Sequence, residues 1–254
     1  MKKLLDRVEI HPLTYIVLLI SFFASFFEYM FLLLFIIFVH ELGHLIMASF
    51  LGFKISKITL FPFGGITTYD SNINENILKE ILICICGPII QIFLLILIIN
   101  LNEFILESTY DKFILINKYL LLFNLLPISP LDGGKLLNLI CDCFIAYKKS
   151  MFLVLSFSLL LDLFFIFYFL FIKKDILIFI LFLLTLKNII NEIINIKNKY
   201  NKFLLERYLF KYNYKNGNYI KRISDLKRNN THKIIRDNFI YDEKSYLKKY
   251  VFNI

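Results

Sequence analysis

The chain reads as an all-α polytopic membrane protein of about six transmembrane helices, with a small β-like loop and a short basic tail. Three observations predict this. Of its 254 residues, 58% are hydrophobic, above the usual 45–50% of soluble domains, and mean hydropathy is +0.67. Six apolar segments are each long enough, with some tilt, to cross about 30 Å of hydrocarbon. The charge is also unevenly placed: residues 1–196 carry 14 Lys and Arg against 15 Asp and Glu, whereas residues 197–254 carry 15 against 5.

The segments run over 12–27, 29–51, 77–100, 113–140, 151–172 and 175–196. The first is preceded by Asp6 and Glu9 among its basic residues and followed by no small-x-small cleavage site. It is therefore expected to stay as a helix and not to be removed as a signal peptide. Lys and Arg cluster before the first span, after the second and fourth, and after the sixth. By the positive-inside rule both termini are expected in the cytoplasm, with Lys112 and the pair Lys173-Lys174 against the trend.

Between the second and third spans, residues 52–76 are rich in β-branched and aromatic residues, interrupted by Pro62 and Gly64-Gly65. A short strand, a turn and a second strand near the cytoplasmic surface are expected. The fourth span is broken by Pro127, Pro130 and Gly133-Gly134; a helix interrupted at membrane depth is tolerated where it lines a cavity or is buried in protein. In the tail, Asn216-Gly217 sits between aromatic and charged runs and signals a hairpin. The expected organisation is a membrane domain over 1–196, with a core at about 10–140, and a basic cytoplasmic tail over 197–254.

The composition also narrows function. No recognition motif accompanies the positive tail, so the charge points to the cytoplasmic side or to acidic headgroups and not to nucleic acid. The four cysteines form two C-x-C pairs, Cys84/Cys86 and Cys141/Cys143, a spacing of neither zinc nor redox motifs. Gln91 follows Gly87-Pro88 in the third span and receives no role.

The chemistry-bearing feature is His40-Glu41-Leu42-Gly43-His44, inside the second span. Positions i and i+4 of a helix share a face, so the two imidazoles can hold one zinc ion with the adjacent carboxylate as general base. Ionisable groups in lipid are costly and usually functional. A catalytic zinc has three protein ligands. Asp132, in the break of the fourth span, is the strongest candidate for the third; Asp162 lies in an unbroken span, and Asp142 and Glu80 lie nearer span ends.

Three patches together resemble the site-2 protease family of intramembrane zinc metalloproteases: His40 to His44, Phe61-Pro62-Phe63-Gly64-Gly65, and Asn124-x-x-Pro127 with Leu131-Asp132-Gly133-Gly134. The likeness is greatest to the sporulation branch, whose members release a pro-sigma factor at the membrane around the forespore. The resemblance implies that His40, His44 and Asp132 bind one Zn2+ per chain. It implies that Glu41 is the base and proton donor, and that Asn124 orients substrate or stabilises the oxyanion. It further implies a membrane-associated protein substrate held by β-addition to the strand before Phe61, and inhibitory membrane partners. The tail is too short for the paired nucleotide-sensing domains frequent in that branch. Two other classes compete: a zinc transporter, which would tolerate loss of Glu41, and a catalytically silent membrane scaffold.

Overall fold

A computed structural model describes residues 8–61, 64–70, 72–210, 212, 214, 216–236 and 239–249. Strand β1 (Val8–Ile10) leads into helix α1 (Pro12–Phe23), whose first turn is capped by His11 Nδ1 accepting from Leu13 N–H. Helix α2 (Phe27–Phe50), strands β2 (Lys54–Phe61) and β3 (Gly64–Asp70), helix α3 (Ile77–Asn100) and helix α4 (Glu107–Asn124) follow. Then come α5 (Asp132–Phe144), α6 (Tyr147–Phe167, continued by a π turn to Lys173), α7 (Ile176–Ile194) and α8 (Ile196–Leu209). Strands β4 (Asn216–Ile220), β5 (Asn230–Arg236) and β6 (Phe239–Asp242) and the short helix α9 (Glu243–Leu247) follow in the tail.

Among the described residues, three helices are long and apolar enough to cross a membrane: Phe27–Phe50, Ile77–Asn100 and Tyr147–Lys173. A fourth crossing is available if α7 and α8, bent by 51° at their junction, form one span. Helix α1, at 12 residues, is shorter than a bilayer crossing. The stretch 113–140, read from sequence as one interrupted span, is two separate helices, α4 and α5, joined through 125–131. Proline removes helical donors at 127 and 130, and α4 begins six residues earlier than expected in a charged turn. Large apolar side chains face outward on the long helices, among them Phe31, Phe93 and Phe164. Bare apolar flanks of this kind suit lipid.

By internal contacts the described residues form two units. The first comprises those within 1–71 and 82–125, the second those within 72–81 and 126–254. In the first, β1, β2 and β3 make a sheet in that spatial order. β1 runs parallel to β2 with Val8 opposite Ile58, and β2 pairs antiparallel with β3 from Lys54–Asp70 to Phe61–Gly64. The two-strand expectation for this region is met, although Pro62 and Phe63 lie outside the described residues. The strand before Phe61 is flanked over Ile58–Leu60 by β1 and along its other side by β3, so among the described residues the outer edges of the sheet are those of β1 and β3.

In the second unit the tail is folded. β4, β5 and β6 form a sheet in which β4 and β5 are parallel, with Asn216 opposite Asn230 and Ile220 opposite Ile234. The Asn216-Gly217 pair therefore opens a strand and does not turn a hairpin; β5 and β6 make the antiparallel pair. Turn propensity at Asn-Gly is a local preference worth little against a buried partner strand, and Ile234 in β5 is fully buried. The tail's apolar core, Phe203, Leu204, Leu226 and Leu247, is completed by Tyr147 and Met151 of α6. A segment of this size buries too little surface alone, and here it borrows a helix face.

Candidate metal centre

In the first unit, α2 and α3 are antiparallel neighbours. His40 reaches Gln91, and His44, one turn further along α2, reaches Ile83, two turns back along α3. The approach is close enough that a Cβ at Gly87 would collide with the imidazoles of both His44 and His40. Gly65, at the start of β3, is equally constrained: a Cβ there would run into the Glu41 side chain. The Gly64-Gly65 end of the loop thus lies directly against Glu41. His40, Glu41 and His44 are all buried.

The hydrogen bonds fix the histidine tautomers. His44 Nδ1 lies 2.8 Å from the Ile83 carbonyl, which can only accept. His40 Nδ1 lies 2.8 Å from Gln91 Oε1. The Gln91 amide is oriented by its own donor end, whose Nε2 gives to Asn117 Oδ1 at 2.8 Å and to Asn117 O at 3.1 Å. Both Nδ1 atoms are therefore donors, and in the neutral rings both Nε2 atoms carry lone pairs. Those two Nε2 atoms stand 3.1 Å apart. Facing lone pairs at this distance repel, and a shared cation removes the repulsion. Two nitrogens on one tetrahedral zinc stand roughly 3.3 Å apart for Zn–N of about 2.05 Å, so the pair fits such an ion. Holding a ligating imidazole by its other N–H is how proteins orient it and raise its basicity.

Gln91 and Asn117 are fully buried and were not assigned roles from sequence. The signal was present: an amide within an apolar span needs a partner, and two such amides in α3 and α4 satisfy one another. Asn124, assigned from sequence, is the last residue of α4 and partly exposed. Seven residues after Asn117, it lies on the same helix face two turns on.

In the second unit, Asp132 is the first residue of α5 and is buried. Its Oδ1 accepts from Lys135 Nζ at 3.1 Å. A carboxylate in a first helical turn also meets the positive end of the helix dipole. The preceding loop is held by Ser129 N–H donating to Ser158 Oγ at 3.0 Å and Ser129 Oγ donating to Glu192 at 2.9 Å. Asp162, the rival candidate, is buried elsewhere, with Thr185 Oγ1 donating to it at 2.5 Å. Asp142 and Glu80 both pair with Arg228.

Residues 28–108 match Peptidase family M50. The chain is 34% identical over 155 residues to Stage IV sporulation protein FB of Bacillus subtilis, covering 59% of this chain and 54% of that protein. It is 36% identical over 136 residues to a zinc metalloprotease of Methanocaldococcus jannaschii, covering 50% of this chain and 38% of the other. The chain therefore spans about half or less of the length of these relatives. Among solved structures it is similar to the site-2 protease from Methanocaldococcus jannaschii, with a TM-score of 0.58 and 27% identity over 73% of this chain and 89% of that one. By sequence and fold, the chain is similar to membrane metalloproteases, the site-2 proteases of peptidase family M50 among them.

Proposed function

We propose that the chain is an intramembrane zinc metalloprotease that hydrolyses a peptide bond of a membrane-associated protein near the cytoplasmic face. The observation that carries this reading is the pair of imidazole lone pairs brought together beside a buried glutamate in an apolar helix. His40, His44 and Asp132 would hold one zinc ion. When bound, the ion would lower the pKa of a coordinated water to about 7 and polarise the scissile carbonyl. Glu41 would take the water's proton and deliver it to the leaving nitrogen. Asn124 would orient the substrate or steady the developing oxyanion. The open edge of β3, next to Glu41 through Gly65, supports an extended substrate pairing there and not along β2.

Similarity to Stage IV sporulation protein FB supports a role in sporulation; a pro-sigma factor as substrate and a forespore-membrane address rest on the resemblance alone. Six crossings rest on the six apolar segments of the sequence, and the cytoplasmic placement of both termini on the distribution of Lys and Arg. The inhibitory membrane partners rest on the resemblance alone.

Glu41→Gln decides between this reading and a zinc transporter. The purified variant should keep its zinc and lose cleavage of a co-reconstituted membrane-tethered pro-protein. Turnover by metal-loaded Glu41→Gln would remove Glu41 as base, and zinc flux into liposomes unaffected by the substitution would favour transport.

A further inference from the structure

Three consecutive tail residues hold the corner between α5 and α6. The Leu226 carbonyl accepts from Tyr147 N–H at 3.0 Å. Lys227 Nζ donates to the Phe144 carbonyl, at the last residue of α5, at 2.7 Å. Arg228 donates to Asp142 Oδ2 at 3.2 Å and pairs with Glu80 at the start of α3. All of these residues lie in the second unit. The loop is itself braced, since Arg207 donates to the Lys227 carbonyl and Lys227 N–H donates to His232 Nε2 at 3.3 Å.

The burial is the informative part. Leu226 is 0% exposed, Arg228 4% and Asp142 1%. A buried ion cluster gains little stability over apolar packing, because desolvation offsets the Coulomb attraction, while losing one member is strongly destabilising. Such a cluster fixes geometry more effectively than it adds stability. Here the element fixed is α5, whose first residue is Asp132. Asp142 lies ten residues on, about 15 Å along the axis. Over that lever, a tilt of about 4° moves Asp132 by roughly 1 Å, whereas metal–ligand distances tolerate about 0.2 Å.

We infer that the tail loop Leu226–Arg228 is a positioning clamp: it sets the tilt of α5 and so the place of Asp132. This rests on the reading of Asp132 as a zinc ligand. The tail is then part of the working enzyme and not an appended surface for headgroups.

The test is zinc affinity of the full-length chain in detergent, measured by competition with a chromophoric chelator. Arg228→Met should weaken zinc about tenfold, the scale expected for residues that orient a ligand. Asp132→Asn should weaken it at least as much, and the double variant should be no weaker than Asp132→Asn alone. Arg222→Met, at an exposed tail cation, should leave affinity unchanged. Wild-type affinity in Arg228→Met, or a full additional loss in the double variant, overturns the clamp while leaving the ligand reading intact. Wild-type affinity in Asp132→Asn overturns the ligand reading and the clamp with it. Should Arg228→Met fail to fold, Lys227→Met removes only the bond to Phe144 and should cost about threefold, in line with one hydrogen bond; no change there equally overturns the clamp.

Discussion

At the scale of single residues, the histidine pair works through what its other nitrogens touch. His40 depends on Gln91, and Gln91 in turn depends on Asn117. Gln91→Leu leaves the His40 Nδ1–H and the Asn117 amide without these partners in a dry interior, each worth about 1–3 kcal/mol. It also frees the tautomer. Zinc affinity should fall about 10- to 100-fold, read by chelator competition, whereas Gln91→Glu, which keeps an acceptor, should retain more of it. Gly87 makes a second residue-level case. Its α-hydrogen is all that fits beside the two rings, so Gly87→Ala must push α3 from α2 or displace the imidazoles. The expected outcome is loss of bound zinc with helix content retained, checked by elemental analysis and circular dichroism.

At the scale of elements, the decisive feature is the loop between α4 and α5, because it delivers the carboxylate. Its anchor is Ser158, buried in α6, which accepts from Ser129 N–H and whose own hydroxyl lies 3.5 Å from the Pro127 carbonyl. Ser158→Ala removes the acceptor from a buried backbone N–H and should cost about 1–3 kcal/mol. Thermal unfolding in detergent measures this. An unchanged midpoint would show that the loop is held by other contacts. Gly134 adds a steric condition, since a Cβ there would strike the Ile128 carbonyl. Gly134, read from sequence together with Gly133 only as a helix breaker, thus also allows the first turn of α5 to fold back on its own loop.

For the molecule as a whole, acid should loosen the tail. Glu243 accepts from Arg207 at 2.8 Å and from the His232 backbone N–H at 3.3 Å. Burial alone would raise its pKa, but the interaction with the His232 imidazole side chain and the charge of Arg207 outweigh it and hold the carboxyl below its usual 4.5. A carboxylate with a depressed folded pKa contributes stability that is fully present above its unfolded pKa and is lost as pH falls through the folded value. The tail should therefore unfold more readily below about pH 4.5, and Glu243→Gln should flatten that dependence, as followed by limited proteolysis of the tail across pH. Within the amino-acid order alone one could read the apolar helices, the i, i+4 histidines with their glutamate, and the break ahead of Asp132, because each depends on residues within a few turns of one another. What needed the folded chain was the pairing across long separations. His40 finds Gln91 fifty-one residues away, β4 pairs with β5 in parallel despite a turn-forming Asn-Gly, and Arg228 reaches Glu80 and Asp142. Hydrogen-bond partners and buried charge pairs are chosen by three-dimensional proximity, and local periodicity carries no record of that choice.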